Sequence, residues 1–219
     1  MARALPGYGL VHDIAATVLG SLLGPKARVL VVGAGTGTDI LRLGGVHPGW
    51  RFVGVDPAAD MLAVAPERFA AHPGLAERVQ LVEGSVAALD PNAPLFDAAL
   101  CLLVTHFLPD TPQGKAALLR ETARRLRPQA PLLLADFSAP YDGLPAPALL
   151  ETAWVHWQRE RDLSEEAIER GLAYAQRAIA PVTPARLAAL LAETGFGPPQ
   201  RVMQALHVHG WLTHRETTP

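Results

Sequence analysis

The stretch RVLVVGAGTGTDILRL, residues 28–43, constrains this chain more than any other. Arg28–Val32 is a short, β-branched, uninterrupted apolar run, which reads as a strand buried on both faces in a parallel sheet. It empties into Gly33, Gly35 and Gly37. Three missing Cβ atoms let the chain turn sharply, bring backbone N–H groups toward a ligand and pack against the helix that follows. That helix, expected from about Thr38 to Leu43, would point its N-terminus at whatever occupies the loop.

The glycine spacing separates ligands. A dinucleotide fingerprint requires G-x-G-x-x-G, and with Gly33 and Gly35 in the first two places the third falls on Thr38, so that pattern fails. The chain carries G-x-G-x-G instead. Its 219 residues suit one domain with a proper core. With 19 basic against 21 acidic residues there is no electrostatic footprint for nucleic acid or an anionic membrane. The single cysteine, Cys101, excludes an internal disulfide and a cysteine-cluster metal site. His207, His209 and His214 lack a carboxylate cluster, and His207 and His209 are two apart on an expected strand, so no metal is expected. Residues 1–25 lack a basic start followed by a long apolar core, and no apolar run is long enough to cross a bilayer. A cytoplasmic protein is expected, with homodimer formation left open.

The rest of the chain alternates strands and helices. Residues 8–23 carry apolar positions at helical spacing and stop at Gly24-Pro25. Residues 50–56 form a second strand ending in Asp56, followed by Pro57 and a helix from Ala58 to Phe69. A carboxylate at the tip of strand two, about 20 residues beyond the glycine loop, is placed to accept hydrogen bonds from ribose hydroxyls; capping the next helix is the other use of such a residue. A third strand, Val79–Val82, runs into Glu83-Gly84-Ser85-Val86. A fourth, Phe96–Leu102, continues into Thr105-His106-Phe107-Leu108. A helix over 113–126, a strand over 131–137 and two helical stretches (about 147–161 and 164–179) follow. Thr183-Pro184 then caps another helix, and Gln200–Ala205 with Leu206–Arg215 reads as an antiparallel pair turning near Leu206. The alternation implies an α/β fold.

The G-x-G-x-G loop, the acid ending strand two, the third-strand turn, the F-D opening of strand four and the terminal hairpin together resemble the class I S-adenosylmethionine-dependent methyltransferases. The resemblance implies a doubly wound, Rossmann-like, seven-stranded sheet, mostly parallel with an antiparallel C-terminal hairpin. It also implies a helical insertion after strand five, residues 138–180, and an N-terminal lid helix within residues 1–25. The implied cofactor is S-adenosylmethionine, held by Gly33, Gly35 and Gly37 with Asp56 and Pro57 at the ribose. Met61, Ser85 and Val86 would lie at the adenine, Leu102 near the methyl group and Tyr8 over the cofactor. Two usual acids are replaced, one by Val31 and one by Ser85; a hydroxyl accepts more weakly than a carboxylate. His106 is the candidate general base, with a structural place in its turn as the alternative. His12, Trp154 and Trp157 are the candidate residues around a small-molecule acceptor, with helix docking as their alternative role. P-G-Y near the N-terminus and L-S-E-E-A-I, residues 163–168, bear a looser resemblance to the branch containing the carboxy-S-adenosylmethionine synthases of tRNA modification. In that branch a tyrosine and a carboxylate-holding arginine stand where this chain has Leu163 and Leu172, with Arg170 nearby, so ordinary methyl transfer is the expectation. A nucleotide-linked oxidoreductase and a non-catalytic cofactor-binding protein are the rival readings.

Overall fold

The computed structural model describes residues 3–141 and 145–217. Among these, seven strands form one sheet in the order β3-β2-β1-β4-β5-β7-β6. They are β1 (Arg28–Val32), β2 (Arg51–Asp56), β3 (Val79–Glu83), β4 (Ala98–Leu102), β5 (Pro131–Phe137), β6 (Gln200–Ala205) and β7 (Val208–His214). The pairs among β1 to β5 are parallel, while β7 runs antiparallel to both β5 and β6. The strand order reverses between β1 and β4, and in a doubly wound sheet that is where the carboxyl ends open a crevice.

Each strand's alternation feeds two cores. Val29 and Val31 of β1 face a layer built by Val11, Ala15 and Leu19 of α1 (Tyr8–Leu22), Ile40 and Leu43 of α2 (Thr38–Val46) and Phe69 of α3 (Ala59–Ala70). Leu30 and Val32 face the other layer, with Leu119 and Ala123 of α4 (Lys115–Arg125) and Leu187, Leu190 and Leu191 of α7 (Pro184–Glu193). The period of two along a strand makes one apolar run serve both layers. Val31, standing where the resembled family has an acid, is fully buried beneath α1.

The helical insertion is α5 (Pro147–Arg159) and α6 (Glu165–Ala178). It is closed at its base by a parallel bridge between Ser138 and Val182, so the segment leaves and rejoins the sheet at one place. Ser164 caps α6 by accepting from Ala167 N–H, and Thr183 caps α7 by accepting from Arg186 N–H, as expected of these residue types. The fourth strand starts at Ala98 instead of Phe96, which forms a separate parallel bridge with Leu126, and the Asp97 carboxylate accepts from Arg28 N–H at 2.7 Å and pins the starts of β1 and β4 together. Leu206, in the turn between β6 and β7, has φ 50°. Among the described residues no helix is long and apolar enough to cross a membrane.

His209 on β7 is fully buried, and burial, reinforced by Arg201 and His207, holds its pKa down at about 4. Between that value and the ordinary ~6.5 the unfolded chain therefore binds more protons than the folded one, so stability falls as pH falls through this window and is complete above it. The urea midpoint should drop between pH 7.5 and pH 5, and His209→Leu should flatten that slope; an unchanged slope would show that the titration lies elsewhere.

Candidate cofactor and active site

A cavity of about 640 Å³ opens at the carboxyl ends of β1, β2 and β4, large enough for a ligand of cofactor size. Its floor is the loop after β1. Gly33, Gly35 and Gly37 have φ of 71°, 50° and 79°, the left-handed region that favours glycine. Their reasons differ. A Cβ at Gly33 would stand 2.3 Å from Val104, and one at Gly37 would stand 2.5 Å from Phe69, so both positions are closed by the protein itself. At Gly35 a Cβ would meet only the flexible end of Met61, at 3.1 Å, and the Asp56 carboxylate at 3.9 Å. Gly35 is thus the glycine that leaves room for a ligand.

Four of the loop's own N–H groups, those of Gly33, Ala34, Gly35 and Gly37, are engaged within the protein. Gly33 and Ala34 donate to the Val55 carbonyl at 2.8 and 3.0 Å. Gly35 N–H donates to Asp56 Oδ2 at 2.8 Å. From α3, Arg68 donates to the carbonyl and hydroxyl of Thr36 and to the Thr38 hydroxyl. The loop is therefore preformed. Asp56 also accepts from Ala58 N–H through Oδ1 at 2.8 Å, so the capping alternative is real. A carboxylate has about four acceptor sites, and two remain for hydroxyl groups.

Around this floor the walls include Tyr8 and His12 of α1, Pro57 and Met61, Ser85 and Val86 after β3, and Leu102 at the end of β4. Gly37 itself packs behind the loop. Leu103 follows with φ 59°, a left-handed conformation unfavourable for a leucine, held by its N–H on the Ala135 carbonyl at 2.7 Å. The remaining wall is Phe107, Leu108 and the face of α4 bearing Ala117, Leu118 and Glu121. The charged residues lining the cavity are Asp39, Asp56 and Glu121; among the described residues no lysine or arginine does. Asp39, in the first turn of α2, carries no motif signal. It receives His12 Nδ1 at 2.5 Å, with the two side chains 4% and 9% exposed.

His106, Trp154 and Trp157 are placed elsewhere. His106 is buried below the cavity, with its Nδ1 on Asp136 Oδ1, and borders a separate narrow cleft between β5 and α7. Asp136 also accepts from the Thr105 hydroxyl at 2.5 Å, from His106 N–H at 2.9 Å and from Phe137 N–H at 2.8 Å. The buried Lys115 Nζ donates to the carbonyls of Thr105 and Leu108. This geometry gives His106 its structural place in the turn. Trp154 packs between Phe137 and His207 and donates Nε1–H to the Ala4 carbonyl at 2.7 Å. Trp157 lies under the Arg161 guanidinium. Neither ring lines the cavity. Trp154 thus ties the insertion to the segment around Ala4 and to the sheet. Cys101 is buried in the core, and burial raises its thiol pKa far above the usual range, so it is no nucleophile.

Asp136→Ala should destabilise the protein by about 3–5 kcal/mol, because four donors and the buried Lys115 lose their acceptor and counter-charge at once. Trp154→Ala should cost about 2–4 kcal/mol through lost packing. Chemical denaturation reads both, and a cost under about 1 kcal/mol for Asp136→Ala would remove it from the centre of the network.

Residues 30–132 match a family model described as a methyltransferase domain. An uncharacterized protein of Synechococcus sp. is 33% identical over 98 residues, a match covering 45% of this chain and 23% of that protein. Among solved structures, the mitomycin 7-O-methyltransferase superposes with a TM-score of 0.67 at 20% identity over 94% of this chain and 54% of its own. The 1,6-didemethyltoxoflavin-N1-methyltransferase of Burkholderia thailandensis, solved with its substrate and S-adenosylhomocysteine, gives 0.63 at 24% identity over 94% of this chain and 79% of its own. A methyltransferase of calicheamicin biosynthesis with S-adenosylhomocysteine bound gives 0.65 at 21% identity, over 92% of this chain and 52% of its own. The chain thus spans about a quarter of the curated relative and about half of two of these three structures. Residues 30–132 are similar to the methyltransferase-domain family, and the chain shares the Rossmann-like fold of these solved methyltransferases.

Proposed function

We propose that this chain is an S-adenosylmethionine-dependent methyltransferase that acts on a small-molecule acceptor by direct displacement at the sulfonium methyl. The observation that carries this reading is the chemistry of the cavity floor. Gly35 leaves space beside Asp56, while the surrounding charges are carboxylates without a cation. A dinucleotide's pyrophosphate would need free loop N–H groups or a basic side chain. Here the N–H groups of Gly33, Ala34 and Gly35 are engaged by β2. A sulfonium nucleoside, cationic at sulfur and carrying ribose hydroxyls for Asp56, meets this floor without that conflict. The bound methyltransferase neighbours are consistent with the same ligand class.

In this reading Asp56 holds the ribose with its two remaining acceptor sites, and Met61, Ser85 and Val86 enclose the adenine. Ser85 supplies a neutral hydroxyl where a charged acceptor is usual. Leu102 and Leu103 form the apolar wall at the end of β4, and Tyr8 covers the site from α1. The donor supplies an electrophilic methyl group on a good leaving group. What the protein contributes is alignment in a dry site, worth up to roughly 7–11 kcal/mol by proximity. His106 acts through position, holding the turn from Leu102 to Leu108 on Asp136. Carboxyl chemistry draws no support: Arg170 pairs with Glu166 on an exposed face of α6, away from the cavity.

Titration calorimetry with S-adenosylmethionine, S-adenosylhomocysteine and NAD tests this. The first two should bind and NAD should not; binding of NAD alone would return the oxidoreductase reading, and binding of none would leave a protein without this cofactor. Asp56→Ala should weaken S-adenosylhomocysteine binding by about 1–3 kcal/mol, since ribose hydroxyls lose a charged acceptor. Gly35→Val should weaken it further, because a branched side chain at φ 50° is strained and also fills the ligand's space. Normal affinity in folded Gly35→Val protein would remove the loop from the site.

A further inference from the structure

One carboxylate in the cavity wall has no task in the fold. Of the residues with carboxylates that line the cavity, Asp39 receives His12, and Asp56 accepts from the Gly35 and Ala58 amides. Glu121, on α4, has one partner among the described residues: Arg124 Nη1 donates to Oε1 at 2.5 Å, and Oε2 accepts from nothing. That arginine lies on the next turn of the same helix and is 64% exposed, so the pair is a screened surface contact that holds the carboxylate weakly. Glu121 lines the cavity with a side chain 28% exposed, so a ligand can reach it.

The place of Glu121 along α4 fixes which end of the cavity it serves. Leu118, Glu121 and Arg125 are three and four residues apart and share one helix face. Arg125 donates to the carbonyls of Leu89 and Asp90 at 2.7 and 2.6 Å, and Leu118 packs on the apolar cluster that contains Val86 and Leu89. Glu121 lies between these two contacts, beside the single turn Val86–Ala88 that follows β3 and packs against α4. Ser85 opens that turn, and its hydroxyl caps nothing. In the reading above this end of the cavity encloses the base, while Asp56 holds the ribose. An exocyclic amino group on the base presents N–H donors here, and a carboxylate accepts them more strongly than a neutral hydroxyl does. A base edge offering only lone pairs would meet a carboxylate with nothing to donate. Resting on the methyl-donor reading above, we propose that Glu121 accepts a hydrogen bond from the 6-amino group of the donor's adenine, so that the base is selected from α4.

Calorimetry on the full chain with two probes isolates this contact: S-adenosylhomocysteine, and its 6-deamino analogue, in which hydrogen replaces the purine amino group. The unsubstituted protein should favour the first about tenfold, the worth of one charge-assisted bond at a partly exposed site. Glu121→Ala should lower the affinity for S-adenosylhomocysteine by the same factor and leave that for the analogue unchanged, which erases the preference. Glu121→Gln keeps the side chain's shape and a neutral carbonyl acceptor, so it should retain part of the preference. Equal losses for both probes in Glu121→Ala would overturn the assignment and make Glu121 a residue that packs α4, with the methyl-donor reading left standing. No loss for either probe would overturn it too, and would give the amino group to Ser85 or to the backbone. Should S-adenosylhomocysteine fail to bind the unsubstituted protein, the methyl-donor reading itself fails and this contact with it.

Discussion

Everything at the site depends on one carboxylate reaching back across the sheet. Asp56, at the end of β2, accepts from the middle glycine of the β1 loop and from the first turn region of α3. The adjacent Val55 carbonyl takes the two N–H groups before it. Three consecutive loop amides are thereby satisfied inside the protein, so the loop has its shape before any ligand arrives. Preorganisation of this kind lowers the ordering cost of binding. It also places the Asp56 carboxylate beside Gly35 at the cavity floor.

A second carboxylate does the corresponding work on the far side of the strand reversal. Asp136 gathers the Thr105 hydroxyl, the His106 amide and ring, and the Phe137 amide, while Lys115 ties the neighbouring carbonyls. Four donors on one buried carboxylate make a rigid turn, and that turn carries Leu103, Val104, Phe107 and Leu108 to the cavity. The left-handed Leu103 is held in place by the same rigidity. His106 belongs to this scaffold. Two His–Asp pairs thus sit in one protein with different surroundings: one is built into a turn, and the other joins α1 to the first turn of α2.

Among the described residues of the insertion none lines the cavity, despite its aromatic content. Trp154 reaches the Ala4 carbonyl and packs on Phe137 and His207, so α5 holds the segment around Ala4 against β5 and the β6–β7 turn. The bridge from Ser138 to Val182 makes this a closed flap with a fixed base. Neither of its tryptophans lines the cavity, whereas Tyr8 and His12 of α1 do.

The sequence by itself determined the sheet, the loop and the strand-two acid, because each is written locally: an apolar run, glycines at fixed spacing, a carboxylate just past a strand. Its helix caps at Ser164 and Thr183 were equally local. What the tertiary structure alone decided were pairings between distant residues. Asp39 with His12, Arg68 with the loop threonines, and Asp136 with His106 are separated by 27, 30 or more positions, and no local pattern marks one partner for the other. Nor could spacing show that Gly33 and Gly37 answer to Val104 and Phe69 while Gly35 answers only to the flexible end of Met61 and the Asp56 carboxylate. The direction of Trp154 and Trp157 was likewise undetermined, since helical periodicity gives a common face but not what that face meets. Periodicity and turn chemistry act over a few residues, whereas the use of a buried polar group is set by what the completed fold brings beside it.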